Sequence, residues 1–220
     1  MWGAIGWIVS MVLNLGTTIV TARLLAPEIF GLVAVVMVII YGAAIFADSG
    51  LKAALVHEDE RLDDAVATAS IAVPAIGLAA AAVLFAAAPL LAQFYGREEV
   101  QPIAMVLSGV LFIQALSIVP DALIQRRMDF KWRRGFIDPL SVIIYGSVVI
   151  TLALLGAEEW ALVAGQYALF TTITIGAILI ARPNPFAGRA SLGMWRRMAR
   201  YGRPLLGANI LEVIDQQVEP

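Results

Sequence analysis

The chain has 220 residues, 60% of them hydrophobic and only 15% charged, an apolar excess over soluble domains that excludes an ordinary soluble enzyme. It contains no cysteine and one histidine, His57, so disulfides, thiolate catalysis, cysteine-zinc sites and His-cluster metal sites drop out. A formal net charge of −2 gives a nucleic-acid binder no electrostatic footing.

A hydrocarbon core of about 30 Å takes about 20 helical residues. Six apolar stretches near that length run from Trp2 to Thr21, Phe30 to Ala47, Ile71 to Ala92, Ile103 to Leu123, Pro139 to Leu155 and Trp160 to Ala181, and a seventh begins at Pro204. Lipid offers backbone groups no water, so spanning segments must be helices or a closed barrel, and barrel strands would be about ten residues long with alternating polarity. The expected fold is therefore an all-α polytopic membrane protein. Six complete transmembrane helices form a lobe over 1–181, a basic amphipathic connection covers 182–203, and the start of a seventh helix covers 204–220.

Met1-Trp2-Gly3 enters the first run without a basic flank or a small-residue cleavage site, which makes that run a spanning helix and not a secretory signal. The missing flank and the stop at Pro220 inside the seventh run read as a fragment. Lys and Arg are retained on the cytoplasmic side. The first, third and fifth connections hold only Arg23 and Arg97, whereas the second, fourth and sixth hold all the others, Lys52 through Arg203. The N-terminus is therefore expected inside, with the acidic second connection (Glu58, Asp59, Glu60, Asp63, Asp64) carrying little weight in that rule. That acidic run reads as a solvated loop leading to a helix capped by Asp63 or Asp64. In the sixth connection Leu192, Trp195, Met198 and Tyr201 recur at helical spacing between arginines, the pattern of a helix on the inner membrane surface.

Polar residues in a bilayer face the bundle or a wet cavity. Ser10, Asn14, Thr17 and Thr21 share one face of the first span. Gln114, Ser117, Asp121 and Gln125 share one face of the fourth, and Asn209, Glu212, Gln216 and Glu219, with Asp215 beside them, repeat the pattern in the seventh. A hydrated cavity and plain interhelical hydrogen bonding both fit these stripes. Ala75, Ala79, Ala82 and Ala86 form a small-residue face expected to pack closely, and Pro74 and Pro120 remove backbone hydrogen bonds from their helices. Asp48, Asp121, Glu212 and Asp215 are candidates for binding a coupling ion. For Asp48 and Asp121, a cap or a salt bridge with Lys52 or Arg126 is the competing reading. Arg126 and Arg127, which follow the polar stripe and lead the basic run through Lys131, Arg133 and Arg134, suit either a substrate phosphate or anionic headgroups. The candidate cavity lining is thus Asn14, Thr17, Gln114, Asp121, Gln125, Arg126 and Arg127. Neither a nucleotide-binding loop nor a nucleophile elbow occurs, and no cofactor, metal or catalytic residue is expected.

The segment Ala22-Arg23-Leu24-Leu25-Ala26-Pro27-Glu28-Ile29-Phe30-Gly31-Leu32-Val33-Ala34, with Phe46-Ala47-Asp48-Ser49-Gly50-Leu51-Lys52-Ala53-Ala54-Leu55, Phe94-Tyr95-Gly96, the stretch from Val119 to Phe130 and Trp160-Ala161-Leu162-Val163-Ala164, resembles polysaccharide exporters of the multidrug/oligosaccharidyl-lipid/polysaccharide flippase superfamily. The likeness is greatest to the O-antigen, colanic-acid and teichuronic-acid branch. The resemblance implies two pseudo-symmetric lobes around a central cavity, of which this chain holds the first, in a bacterial cytoplasmic membrane. It also implies a lipid-linked oligosaccharide as cargo, membrane lipid and a C-terminal lobe or second chain as partners, and no nucleic acid. A multidrug or cation exporter of the same superfamily and a membrane scaffold for polysaccharide assembly that moves nothing are the alternatives.

Overall fold

A computed structural model of the chain describes residues 2–48, 50–58, 60–128 and 130–202, without the side chains of 2–5, 45–48 and 130. Every regular element among the described residues is helical, and none is a strand. In chain order they form α1 (Trp2–Leu24), α2 (Pro27–Asp48), α3 (Leu51–His57), α4 (Leu62–Tyr95), α5 (Val100–Arg126), the single turn α6 (Phe130–Trp132), a π-helical turn (Arg133–Ile137), α7 (Asp138–Leu154) and α8 (Glu158–Ala181), and 192–202 is again helical. Six of these helices are long and apolar enough to cross a membrane, as the six apolar runs require. The expected seventh helix lies outside the described residues.

The helices overrun the charge-free windows that mark them in the sequence. α4 has 34 residues, about 51 Å at 1.5 Å per residue, and so projects well beyond a 30 Å hydrocarbon core. Its first turns, which precede the apolar run, are buried from Ala65 to Ala69, because α3, α5 and 192–202 pack around them. Helix α3 was not foreseen within the second connection. Asp63 and Asp64 are not the N-cap of α4, which is Arg61 without a side-chain cap; they lie in the first turn. There they favour the positive end of the helix dipole, and Asp64 accepts the backbone N–H of Arg189 at 2.8 Å.

Two apolar clusters hold the bundle. One, at mid-height and toward the α1–α2 turn, joins α2, α4, α5, α7 and α8 through residues such as Val36, Ile40, Leu84, Leu107, Val149 and Leu162. The other joins α3, α4, α5 and α8 to Met194 and Met198 of the 192–202 helix. This helix therefore buries its methionines on the bundle and leaves Leu192 and Tyr201 exposed, which changes the face expected from the Leu192, Trp195, Met198, Tyr201 spacing.

The alanine stripe of α4 is likewise corrected. Ala75, Ala79, Ala82 and Ala86 are exposed, while Val73, Gly77, Ala81, Leu84 and Ala88 face inward. Small residues occur on both faces of this alanine-rich helix, so their spacing alone does not identify the packed one. α4 approaches α5 closely at Gly77, where an added Cβ would overlap the Ala115 methyl. Gly77→Ala should destabilise the protein by about 1–3 kcal/mol through overpacking, read as a fall in unfolding midpoint in lipid micelles. Adding Ala115→Gly should recover part of that loss; simple additivity of the two changes would show that the helices do not cross there.

Candidate functional site

The N-terminus of α1, the turns between α2 and α4, the α5–α7 connection and the 182–202 segment meet at one end of the bundle. They are joined by bonds from Arg126 to the carbonyls of Val56 and Glu58, from Arg127 to the carbonyl of Ala181 (3.0 Å), and by a two-pronged contact of Arg197 with Glu58 (2.7 Å to each oxygen). Every described Lys and Arg except Arg23 and Arg97 lies at this basic end.

Arg126 and Arg127, which suit a substrate phosphate or anionic headgroups by sequence, bond backbone carbonyls in the structure. Arg126 takes the orphan carbonyls at the end of α3, and Arg127 that of Ala181, the last residue of α8. The acidic second connection is engaged in the same way, with Glu58 held by Arg197 and also accepting the Arg61 N–H at 3.3 Å.

The arginine that turns inward is Arg133. Its guanidinium donates from Nε to Asp121 Oδ1 at 3.0 Å and from Nη1 to Asp138; the Arg133 and Asp121 side chains are only 18% and 17% exposed. The π-helical turn creates this geometry. The Asp138 N–H donates to the Arg133 carbonyl, so residues five apart stand one above the other, as they do not in an α-helix. The salt bridge considered for Asp121 thus exists, but with Arg133 instead of Lys52 or Arg126.

This ion-pair cluster sits at the junction of two cavities. The larger, about 520 Å3, is lined by Trp7, Ser10, Lys52, Asp121, Ile124, Gln125, Arg133, Arg134 and Asp138. The smaller, about 280 Å3, runs on between α2, α5 and α8 past Ala44, Gln114, Ser117, Ile118, Phe170 and Ile173. Lys52, Asp121 and Arg133 line both. The α5 stripe of Gln114, Ser117, Asp121 and Gln125 therefore lines two adjoining cavities that meet at Asp121 and Arg133 and are taken together as the cleft. Gln114 Nε2 is buried without a hydrogen-bond partner among the described residues.

The α1 stripe is divided. Ser10 lines the cleft and bonds the Gly6 carbonyl at 2.9 Å. Asn14 is exposed and takes a 3.5 Å contact from Thr18; Thr17 rests against Gly146 of α7; Thr21 is buried and bonds its own helix. Asp48 closes α2, but its side chain, together with Glu212 and Asp215, lies outside the described residues. Sequence reasoning gave no role to Asp138, and placed Arg133 and Arg134 only in a general basic run. The available signal was Arg133 followed five residues later by an acid just before Pro139, a spacing that an α-helical reading does not bring together.

The absence of cysteine from the chain makes the cleft directly testable. Single cysteines at Gln114, Ser117 and Gln125 should react with a charged, membrane-impermeant thiol reagent. Cysteines at Ala75 and Ala82 on the outward face of α4 should react about tenfold more slowly or less, because the reactive thiolate does not form in hydrocarbon. Equal labelling of both sets would show that the cleft is not hydrated.

Comparison with known proteins assigns the family. The chain is 29% identical over 220 residues to the "Succinoglycan biosynthesis transport protein ExoT" of Rhizobium meliloti (strain 1021), a match covering 97% of this chain and 44% of that protein. The chain thus spans less than half the length of this curated relative. No solved structure matches it. Residues 20–220 match the family described as "Polysaccharide biosynthesis protein", and the chain, a multi-pass membrane protein by its six spanning helices, belongs to that family.

Proposed function

We propose that this chain is the first lobe of an exporter that moves lipid-linked saccharide precursors from the inner to the outer leaflet of a bacterial cytoplasmic membrane. Its N-terminus and basic end lie on the cytoplasmic side, in keeping with the retention of positive charge there. On this reading 1–181 is the helical lobe, 182–203 a cytoplasmic connection and 204–220 the start of the next helix, and a further lobe or second chain completes the cavity. The observation that carries the proposal is the cleft around Asp121 and Arg133. It opens at the basic end, where a lipid headgroup enters, and continues between spanning helices along Gln114 and Ser117.

Its charge suits that cargo. Among the described residues, Lys52, Arg133 and Arg134 line the larger cavity with Asp121 and Asp138, and a guanidinium binds phosphate oxygens in pairs. Gln114 and Gln125 supply amide donors and acceptors for hydroxyl groups. Arg126 and Arg127 act by shaping the basic end. Asn14 and Thr17 are assigned to the α1 wall, and Glu212 and Asp215, with Asp48, remain coupling candidates beside Asp121.

Asp121 and Asp138 hold Arg133 in the cleft, and the phosphate of the cargo would compete with them for the guanidinium. In the complete polypeptide, Asp121→Asn keeps the shape but removes its charge. Uptake of radiolabelled lipid-linked saccharide into inverted vesicles should fall about tenfold or more, each factor of ten corresponding to about 1.4 kcal/mol. Unchanged transport would remove Asp121 from the mechanism, and unsubstituted vesicles inert to lipid-linked saccharide would overturn the exporter reading itself.

A further inference from the structure

Trp7 is the aromatic member of the larger cavity's lining, 60% exposed. Its position is set by its neighbour. Gly6 is buried where α1 meets the π-helical turn, so closely that an added Cβ would overlap the carbonyl oxygen of Arg134 and the Cα of Gly135. The absence of a side chain at residue 6 lets α1 lie against the segment that carries Arg133 and Arg134, and this brings the indole to the cleft beside Ser10, Gln125, Arg134 and Asp138.

A tryptophan near a membrane surface is commonly a headgroup-level anchor, and an arginine beside it can lie over the ring as a cation–π partner. Neither role calls for the surroundings found here. A flat indole borders a cavity that also offers an amide, carboxylates and guanidinium groups. A pyranose ring has an apolar face of C–H groups and a polar edge of hydroxyls; an aromatic plane suits the first, and carboxylate and amide groups suit the second. The chemistry of this corner is that of a saccharide site next to an anion site.

We infer that Trp7 is a stacking platform for a sugar ring adjoining the phosphate of the cargo, with Gln125 and Asp138 placed to bond its hydroxyls. The inference rests on the reading of the cleft as the cargo site, with Arg133 and Lys52 taking the phosphate. Trp7 thereby reads the saccharide and not the lipid, and makes α1 a determinant of which glycan is accepted.

The test uses the complete polypeptide in lipid nanodiscs and two probes, a polyprenyl diphosphate and the same lipid bearing an oligosaccharide. Trp7→Leu should weaken binding of the saccharide-bearing probe about tenfold while leaving the sugar-free probe unchanged, and Trp7→Phe, which keeps an aromatic face, should stay near the unsubstituted protein for both. Equal weakening of both probes by Trp7→Leu would make Trp7 an anchor or an arginine partner. No weakening of either, in a protein that binds both, would overturn the stacking role and leave the cleft reading intact. An unsubstituted protein that binds neither probe would remove the cleft reading, and the platform with it.

Discussion

Within hydrocarbon every backbone N–H and carbonyl must find its partner in the same protein, and this constraint governs the whole molecule. It makes each apolar run a helix, confines ends and turns to the two surfaces, and forces each charged side chain near the interior to bring a partner. At the basic end the last point becomes architecture. Arg126 and Arg127 serve carbonyls at the ends of α3 and α8, and Arg197 grips Glu58. The positive charge gathered at this end is thereby also the material that ties its connections together.

The Asp121–Arg133–Asp138 cluster is the one place where this economy reaches inward. Three charges from α5, the π-helical turn and α7 share a half-buried position, and breaking one side of such a pair costs far more than making it gains. In a cleft built on partners that neutralise one another, an anion would have to compete with two carboxylates for the guanidinium, which is the physical basis of the proposed cargo site.

Much of the site was legible in sequence because helical phase survives folding. Gln114, Ser117, Asp121 and Gln125 recur on one side of their helix, and all four line the cleft. The resemblance to polysaccharide exporters, carried by five separated stretches, agrees with the family match over 20–220. The same logic misled on α4, where alanines are so abundant that a stripe such as Ala75 to Ala86 exists on the outward face as well as the packed one. It left out the carbonyls that Arg126 and Arg127 bond, since a guanidinium suits a carbonyl at a helix end as readily as a phosphate, and only the neighbouring chain brings those carbonyls within reach.

From its sequence alone the chain was bound to be a helical, multi-pass membrane protein, because apolar length and backbone satisfaction depend only on local composition. The gathering of its positive charge at alternate connections was equally visible there. Tertiary structure alone decided that Arg133 turns inward, that the π-helical turn stacks it with Asp138, and that Gly6 brings Trp7 to the cleft. Each of these depends on how closely two segments approach, on a local helix type or on which of several like charges wins a partner, and such outcomes follow from packing between elements distant in the chain.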